Sequence, residues 1–229
     1  LVLKMQLLKV MLSKLLYNEF YLESKSSYNI FYMSFFAISC LIFLLFSFPL
    51  SKITDVSIFN GFLWIIVALS SVKLIENSFA RERDFYIHDL IYSSSIDSSL
   101  IFLSKLISLN LILTGVQLII LLVYILFTGL NIDIAFSLIP LFLLTNFGLV
   151  GFGILIFLIT NTTTSKSFLF PVIFFPIIIP ILINSANISL GLIVQNNTSL
   201  YIDSWLILLT FALLGILLGI NLFGRLIKQ

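Results

Sequence analysis

The sequence predicts an all-α membrane protein, in which an N-terminal amphipathic helix precedes a bundle of six transmembrane helices. Three observations predict this fold class: an apolar composition, six long apolar segments, and an uneven distribution of lysine and arginine. Of the 229 residues, 60% are hydrophobic and only 10% are charged, against roughly a quarter charged in soluble domains. A soluble globular protein is excluded, because one core of this size could not bury so much apolar surface, whereas lipid can cover it.

Six apolar segments have about the length of a membrane span, which is roughly 20 residues for a hydrocarbon core of roughly 30 Å. They cover residues 31–50, 59–75, 106–127, 134–159, 168–183 and 205–223. The fifth segment is short and contains Pro171, Pro176 and Pro180. Each proline removes a backbone donor and disturbs the preceding turn, so the fifth span is predicted to be kinked or broken. Residues 184–203, which include no Lys or Arg, are predicted to form an outer loop.

Residues 1–28 are predicted to form an amphipathic interfacial helix and an inner N-terminal segment, and residues 29–229 a single six-span domain. Apolar residues recur at helical spacing before the first span, at Met5, Leu8, Leu12, Leu15 and Leu16. The largely opposite face carries Gln6, Lys9, Ser13 and Lys14. Such a helix lies at the membrane surface with its lysines towards anionic headgroups. The alternative is a polar-flanked extension of the first span. No removable signal peptide is expected, because a small-residue cleavage site is missing.

The positions of lysine and arginine predict the orientation, because these residues gather on the inner side of a membrane. With both termini inside, eleven of the 12 Lys and Arg residues lie on the inner side and only Lys52 lies outside. This side is the cytoplasm, matrix or stroma. We therefore expect a multi-pass protein of a bacterial inner membrane, or of the inner membrane of a mitochondrion or plastid.

Residues 76–99 form the one long charged segment between predicted spans, and we interpret it as a site where an ATPase docks. The residues concerned are Phe79, Arg81, Glu82, Arg83, Asp84, Phe85, Ile87, His88 and Asp89. Their charged side chains would steer docking, while Phe85 and Ile87 would fill a cleft on the ATPase. The alternative is that the charges only fix topology. Topology needs the positive charges but not the acids interleaved with them, which favours docking.

The sequence excludes several kinds of chemistry. It contains no Gly-x-x-x-x-Gly-Lys-Ser/Thr motif for binding ATP, and its one Cys and one His do not have the spacing of a metal site. His88 is a candidate haem or metal ligand, or an ordinary polar contact of an inner helix. Charges within the predicted spans are few, which disfavours a proton-coupled pump. A net charge of +2 gives no argument for nucleic acid. Three glycines of the fourth span either admit a neighbouring helix or occur by chance: Gly148, Gly151 and Gly153.

Several short stretches in order resemble the CcmB family, haem exporter protein B of cytochrome c maturation. They are LLYNEFYLESK at 15–25, FSFPL at 46–50, GFLW at 61–64 followed by Glu76 and Phe79, and FPIIIPILI at 175–183. The family's inner loop usually has an acidic residue and Gly, then Leu-Glu-Gln-Leu. Here Phe85 stands in place of that Gly and His88 in place of the Glu.

The resemblance implies a type-two ABC exporter permease that is not itself an enzyme. Its expected partners are a separate CcmA-like ATPase, CcmC-like and CcmD-like membrane subunits, a CcmE-like haem chaperone, and a second copy of the chain. ATP would be bound by the ATPase and haem by partner subunits, with no cofactor bound directly. Hydrolysis would drive release of the haem-loaded chaperone. Two alternatives remain: an ABC permease for a lipid, polysaccharide or drug, and a structural subunit of a respiratory complex.

Overall fold

A computed structural model describes residues 11–21, 27–47, 56–84, 97–128, 132–161, 168–195 and 201–227, and all regular structure in these ranges is helical. The helices are α1 (11–21), α2 (Ser27–Ser47), α3 (Val56–Asp84), α4 (Ser98–Thr128), α5 (Ile132–Asn161), α6 (Leu169–Leu190) and α7 (Ile202–Leu226). A π-helical segment, Gly191–Gln195, continues α6. The all-α prediction is confirmed for the described part of the chain.

Within the described ranges, five helices are long and apolar enough to cross a membrane: Ser57–Ala80, Ser98–Leu126, Ile132–Thr160, Leu169–Val194 and Ile202–Leu226. They correspond to the second to sixth predicted spans. The first predicted span, 31–50, coincides with α2, whose described apolar part is the shorter helix Met33–Leu44. Residues 48–50 lie outside the described residues. The described residues thus support a multi-pass membrane protein with five candidate spans, and the first predicted span, 31–50, stays a prediction.

Helices α3 to α7 run in alternating directions, as contacts between their ends show. At one end of the bundle, Phe102 near the start of α4 contacts Phe223 near the end of α7, with ring centroids 5.5 Å apart. At the other end, Phe59 near the start of α3 contacts Tyr124 near the end of α4, at 6.1 Å. We call these the Phe102 end and the Phe59 end. The last turn of α3, residues 81–84, therefore lies at the Phe102 end, as does the last turn of α7 with Arg225.

Helix α5 lies at the centre of the bundle, and three of its glycines admit neighbouring helices. A Cβ atom on Gly151 would lie 3.2 Å from the backbone of Gly215 on α7. A Cβ atom on Gly148 would lie 3.1 Å from Ile181 of α6, and one on Gly153 would overlap Ile75 of α3. Of the two interpretations of these glycines, close helix approach is thus the one that the structure supports.

The predicted span boundaries were too short at the Phe102 end. Helix α3 extends to Asp84 rather than Ile75, and α4 begins at Ser98 rather than Leu106. The sequence interpretation stopped at the first polar residues, although polar side chains continue a helix readily where its backbone bonds are satisfied internally. Lys105 directly precedes the third predicted span, 106–127. In the structure it is the eighth residue of α4 and is only 1% exposed.

The predicted break in the fifth span is wrong, because α6 is continuous across Pro176 and Pro180. Pro171 lies in the first turn, where the backbone N–H has no intrahelical partner in any case. The kink that was the other alternative stays a prediction. Residues 184–195 are helical, so their assignment to the outer loop is also wrong.

The N-terminal segment is helical over 11–21. Leu12, Leu15 and Leu16 are half-buried there, whereas Ser13 and Lys14 are exposed. Met5, Gln6, Leu8 and Lys9 lie outside the described residues. The position of this helix at a membrane surface stays a prediction.

Candidate functional site

The first five of the predicted ATPase-docking residues, from Phe79 to Asp84, lie on the last turns of α3. The backbone at 81–84 continues this helix, so Arg81, Glu82, Arg83 and Asp84 are carried on a helical extension beyond the candidate span Ser57–Ala80. Phe85, Ile87, His88 and Asp89 lie outside the described residues.

Phe79, the first of the predicted docking residues, lies inside the bundle and is 3% exposed. Its ring stacks on Phe157 of α5 with centroids 4.6 Å apart and planes 15° apart. The Nζ atom of Lys105 lies 4.2 Å from the centroid of the Phe79 ring, within the range of a cation–π interaction. Phe79 thus fastens the end of α3 to α4 and α5, and it is not available on the surface to a partner.

The aromatic contacts continue from Phe157 into α6. Phe157 meets Phe170 edge-on at 5.3 Å, and Phe170 stacks with Phe174 at 5.2 Å. All of these rings are 5% exposed or less. At the Phe102 end, therefore, the helix that carries the charged extension is packed through aromatic rings to two neighbouring helices.

At the Phe59 end, a group of buried polar side chains joins α3, α5 and α6. We call it the Ser189 cluster: Asn60, Trp64, Thr145, Ser185 and Ser189. The Trp64 Nε1–H donates to Ser189 Oγ at 2.9 Å, and the Asn60 side-chain amide donates to the Ala186 carbonyl at 2.8 Å. Each member is 2% exposed or less. Unlike residues at the bundle surface, these groups depend on one another for hydrogen bonds.

The Ser189 hydroxyl lies within hydrogen-bond distance of three acceptors but can donate to only one of them at a time. Its Oγ lies 2.5 Å from Asn60 Oδ1, 2.9 Å from the Ser185 carbonyl and 3.0 Å from the Ala186 carbonyl. A hydroxyl donates one proton, so the bond to α3 and the bonds within α6 are alternatives. Ser185 differs, because its Oγ is 2.8 Å from Thr145 Oγ1 and 2.8 Å from the Ile181 carbonyl, and it can serve both at once.

A second buried polar group lies between α4 and α5. We call it the Asn146 cluster: Asn110, Thr114, Gln117 and Asn146. The amides of Gln117 and Asn146 exchange two hydrogen bonds, of 2.9 and 2.8 Å. Asn146 also donates to Thr114 Oγ1 at 3.0 Å, and Asn110 donates to the Leu143 carbonyl at 3.3 Å. This arrangement connects two helices through side-chain amides that lipid could not satisfy.

The sequence interpretation missed both clusters, since it searched the spans for charges alone. The signal was present as Asn60, Asn110, Gln117 and Asn146 within apolar segments. Ser185 and Ser189 were hidden by a different error, their assignment to the loop. Buried amides and hydroxyls are as diagnostic of helix contacts in a membrane as charges are of ion paths.

The described residues contain no group of three or more His, Cys, Asp and Glu side chains that could hold a metal ion. Cys40 is a free, half-buried thiol on α2. Asp133 and Asp203 are exposed in the first turns of α5 and α7, at the Phe59 end, where the sequence placed them at outer boundaries.

Comparison with known protein families gives a match over most of the chain. The family model described as CcmB protein matches residues 10–223 of the chain. No curated protein matches it. The matched region contains α3 to α6 in full, both buried polar clusters and the charged extension.

Proposed function

Because the chain belongs to the CcmB family, we propose that it couples ATP hydrolysis by a separate ATPase to a rearrangement within the membrane. Family membership implies a permease component of the haem exporter in cytochrome c biogenesis, and hence a subunit without catalysis of its own. The finer proposal is that the partner is a CcmA-like ABC ATPase. This ATPase binds the docking segment, residues 81–89, and the closure of the ATPase on ATP turns α3.

The observation that carries this proposal is the continuity of α3. One helix of 29 residues contains both a candidate span and the first charged residues of the docking segment. A force applied to residues 81–84 therefore acts on one continuous helix rather than on a flexible connection, and a small rigid-body shift can reach the other end of the bundle. Helix α3 would turn about the contacts of Phe79 with Phe157 and Lys105.

We propose further that haem is held by CcmC-like and CcmD-like neighbours and by a CcmE-like chaperone, rather than by this chain. ATP-driven movement would release the haem-loaded chaperone from the complex. The small number of tryptophans, Trp64 and Trp205, supports this assignment, because the tryptophan-rich haem-handling segment of a CcmC-like partner has no counterpart here. Two copies of the chain would accompany the two subunits of an ATPase dimer.

The membrane is proposed to be a bacterial or organellar inner membrane, with both termini on the ATPase side. The lysines and arginines at the Phe102 end support this orientation, because positive residues gather on the inner side. Neither alternative function, export of another substrate or a structural role in a respiratory complex, is favoured by a specific observation in the bundle.

The docking proposal is tested by co-purification in mild detergent. Arg81→Glu combined with Arg83→Glu reverses two charges of the docking segment and should abolish co-purification of the ATPase. The matched control is Arg225→Glu, which reverses an exposed charge at the same end of the bundle, on α7, and should leave co-purification intact. Equal recovery of the ATPase with the double variant and with the control would overturn the proposal.

A further inference from the structure

We propose that Asn60, Trp64 and Ser189 form a releasable latch between α3 and α6, through which movement of α3 reaches the π-helical segment Gly191–Gln195. The inference rests on the proposed function, since it gives a role to the start of α3, the helix that the ATPase would move. Asn60, Trp64 and Ser189 are positioning residues in this account. They act on α6 and do not contact a substrate.

The first argument is position. The latch lies near the start of α3, and Asp84 lies at its end. Twenty residues separate Trp64 from Asp84, which in an α-helix is about 30 Å, roughly the thickness of the hydrocarbon core. The contacts of the latch are thus the place where α3 can act on the opposite side of the membrane.

The second argument is the chemistry of Ser189. When α3 holds α6, the Ser189 hydroxyl accepts from Trp64 and donates to Asn60. When α3 moves away, the Ser189 hydroxyl can instead donate to the Ser185 or Ala186 carbonyl of its own helix. Release therefore leaves no orphaned donor on α6, and the cost of opening falls on α3, where the Trp64 N–H and the Asn60 amide lose their acceptors.

The third argument is the change of helix type directly after the latch. Helix α6 ends at Leu190 and continues as a π-helical turn from Gly191. Such turns are rare and occur frequently at functional sites. The Ala186 carbonyl just before this turn receives the Asn60 amide at 2.8 Å, so a residue of α3 holds the backbone where the helix type changes.

The π-helical segment is in turn linked to α7. A Cβ atom on Gly191 would overlap the ring of Tyr201, which therefore packs directly on the glycine backbone. Tyr201 immediately precedes α7. A change in the winding of Gly191–Gln195 would move Tyr201, and with it the start of α7 at the Phe59 end. This segment is the output element of the proposed latch.

The test separates coupling from assembly. In the complete complex, Ser189→Ala removes the hydroxyl of the latch at nearly constant volume, and Trp64→Phe removes the indole N–H while keeping an aromatic ring. We expect normal co-purification and ATP hydrolysis, with cytochrome c formed per ATP hydrolysed lowered about three- to tenfold, the factor that one interhelical hydrogen bond is worth in membrane proteins. The matched control is Ser185→Ala, one turn earlier on α6, which loses a hydroxyl bonded to α5 instead of α3. It should keep more than half of the wild-type ratio.

If Ser189→Ala and Ser185→Ala form equal amounts of cytochrome c per ATP hydrolysed, the latch proposal is overturned. A parallel loss of assembly in Ser189→Ala and Trp64→Phe would also overturn it, because that result indicates a purely structural role. Failure of the proposed function has a different signature, since a chain that never binds the ATPase gives no complex even as wild type.

A spectroscopic measurement covers the case in which a variant folds poorly. The chain, labelled with 5-fluorotryptophan before reconstitution with unlabelled partners, gives two ¹⁹F signals, and Trp205→Phe assigns them. Trapping the complex with a non-hydrolysable ATP analogue should shift the Trp64 signal more than that of Trp205. A Trp64 signal that stays in place while the ATPase closes would contradict release of the latch.

Discussion

The Ser189 cluster and the Asn146 cluster are built from the same kinds of side chain, yet they differ in what happens when they open. In the Asn146 cluster, Gln117 and Asn146 satisfy each other across the helix interface by two reciprocal bonds. Separation of α4 and α5 would leave both amides without these partners. In the Ser189 cluster, the hydroxyl has substitutes within its own helix. The Trp64 N–H and the Asn60 amide of α3 have no such substitutes among the hydrogen bonds of the described residues. The comparison indicates that separation strands polar groups on both helices of the first cluster, and on α3 alone in the second.

The largest expected effect belongs to the Asn146 cluster. Asn146→Ala leaves the Gln117 amide buried without its two bonds, which costs about 1–3 kcal/mol for an unsatisfied buried group. We expect a clear fall in the yield of folded protein and in the melting temperature in detergent, which thermal unfolding followed by size-exclusion chromatography would measure.

The double variant Gln117→Leu with Asn146→Leu sharpens this prediction. It removes both amides together, so no polar group is stranded, and part of the stability should return relative to Asn146→Ala. The control is the pair of single variants, Gln117→Leu and Asn146→Leu. If the double variant loses more stability than these two losses added together, the two amides are not partners in the way that the distances indicate.

An intermediate effect is expected at the contacts about which α3 would turn, where Lys105 lies over Phe79. Lys105→Met keeps the length of the side chain but removes the cation, which at a buried site is worth about 2 kcal/mol. The melting temperature should fall, and Lys105→Arg should restore most of it because the guanidinium also interacts with aromatic faces. A Met variant as stable as the Arg variant would show that the charge at this position does not hold α3.

The smallest expected effect is that of His88→Ala. If haem is bound by partner subunits, removal of the only histidine leaves haem recovery with the complex and cytochrome c formation close to wild type. The haem absorbance of the purified complex measures this directly. Loss of haem from the complex, with the ATPase still bound, would make His88 a ligand and reverse the assignment.

The sequence predicted the class of fold because composition and apolar length depend only on the bilayer. It also indicated the glycines of α5, of which Gly151 meets Gly215 on α7. It predicted the ends of helices poorly, since charged residues such as Arg81 continue a helix as well as they end it. The break at Pro176 was wrong because a helix packed on its neighbours tolerates the loss of one backbone donor.

The candidate sites were predictable to different degrees. The charged segment at 81–89 is visible in the sequence as an interruption between spans. The latch is not, because Asn60 and Ser189 are separated by 129 residues along the chain. Only the packing of α3 against α6 brings these two residues together, and one sequence without its fold contains no signal for that pairing.

The most direct test of the central claim is a cross-link between the charged segment and the ATPase. Cys40 is the only cysteine, so Cys40→Ser with a new cysteine in place of Phe85 gives a single reactive thiol in the docking segment. With a reagent that carries one thiol-reactive group and one photoreactive group, this variant should form a covalent adduct with the ATPase inside the intact complex on illumination, and the adduct should increase when the ATP-bound state is trapped. A thiol that reacts only with reagents added from the opposite side of the membrane would contradict the account.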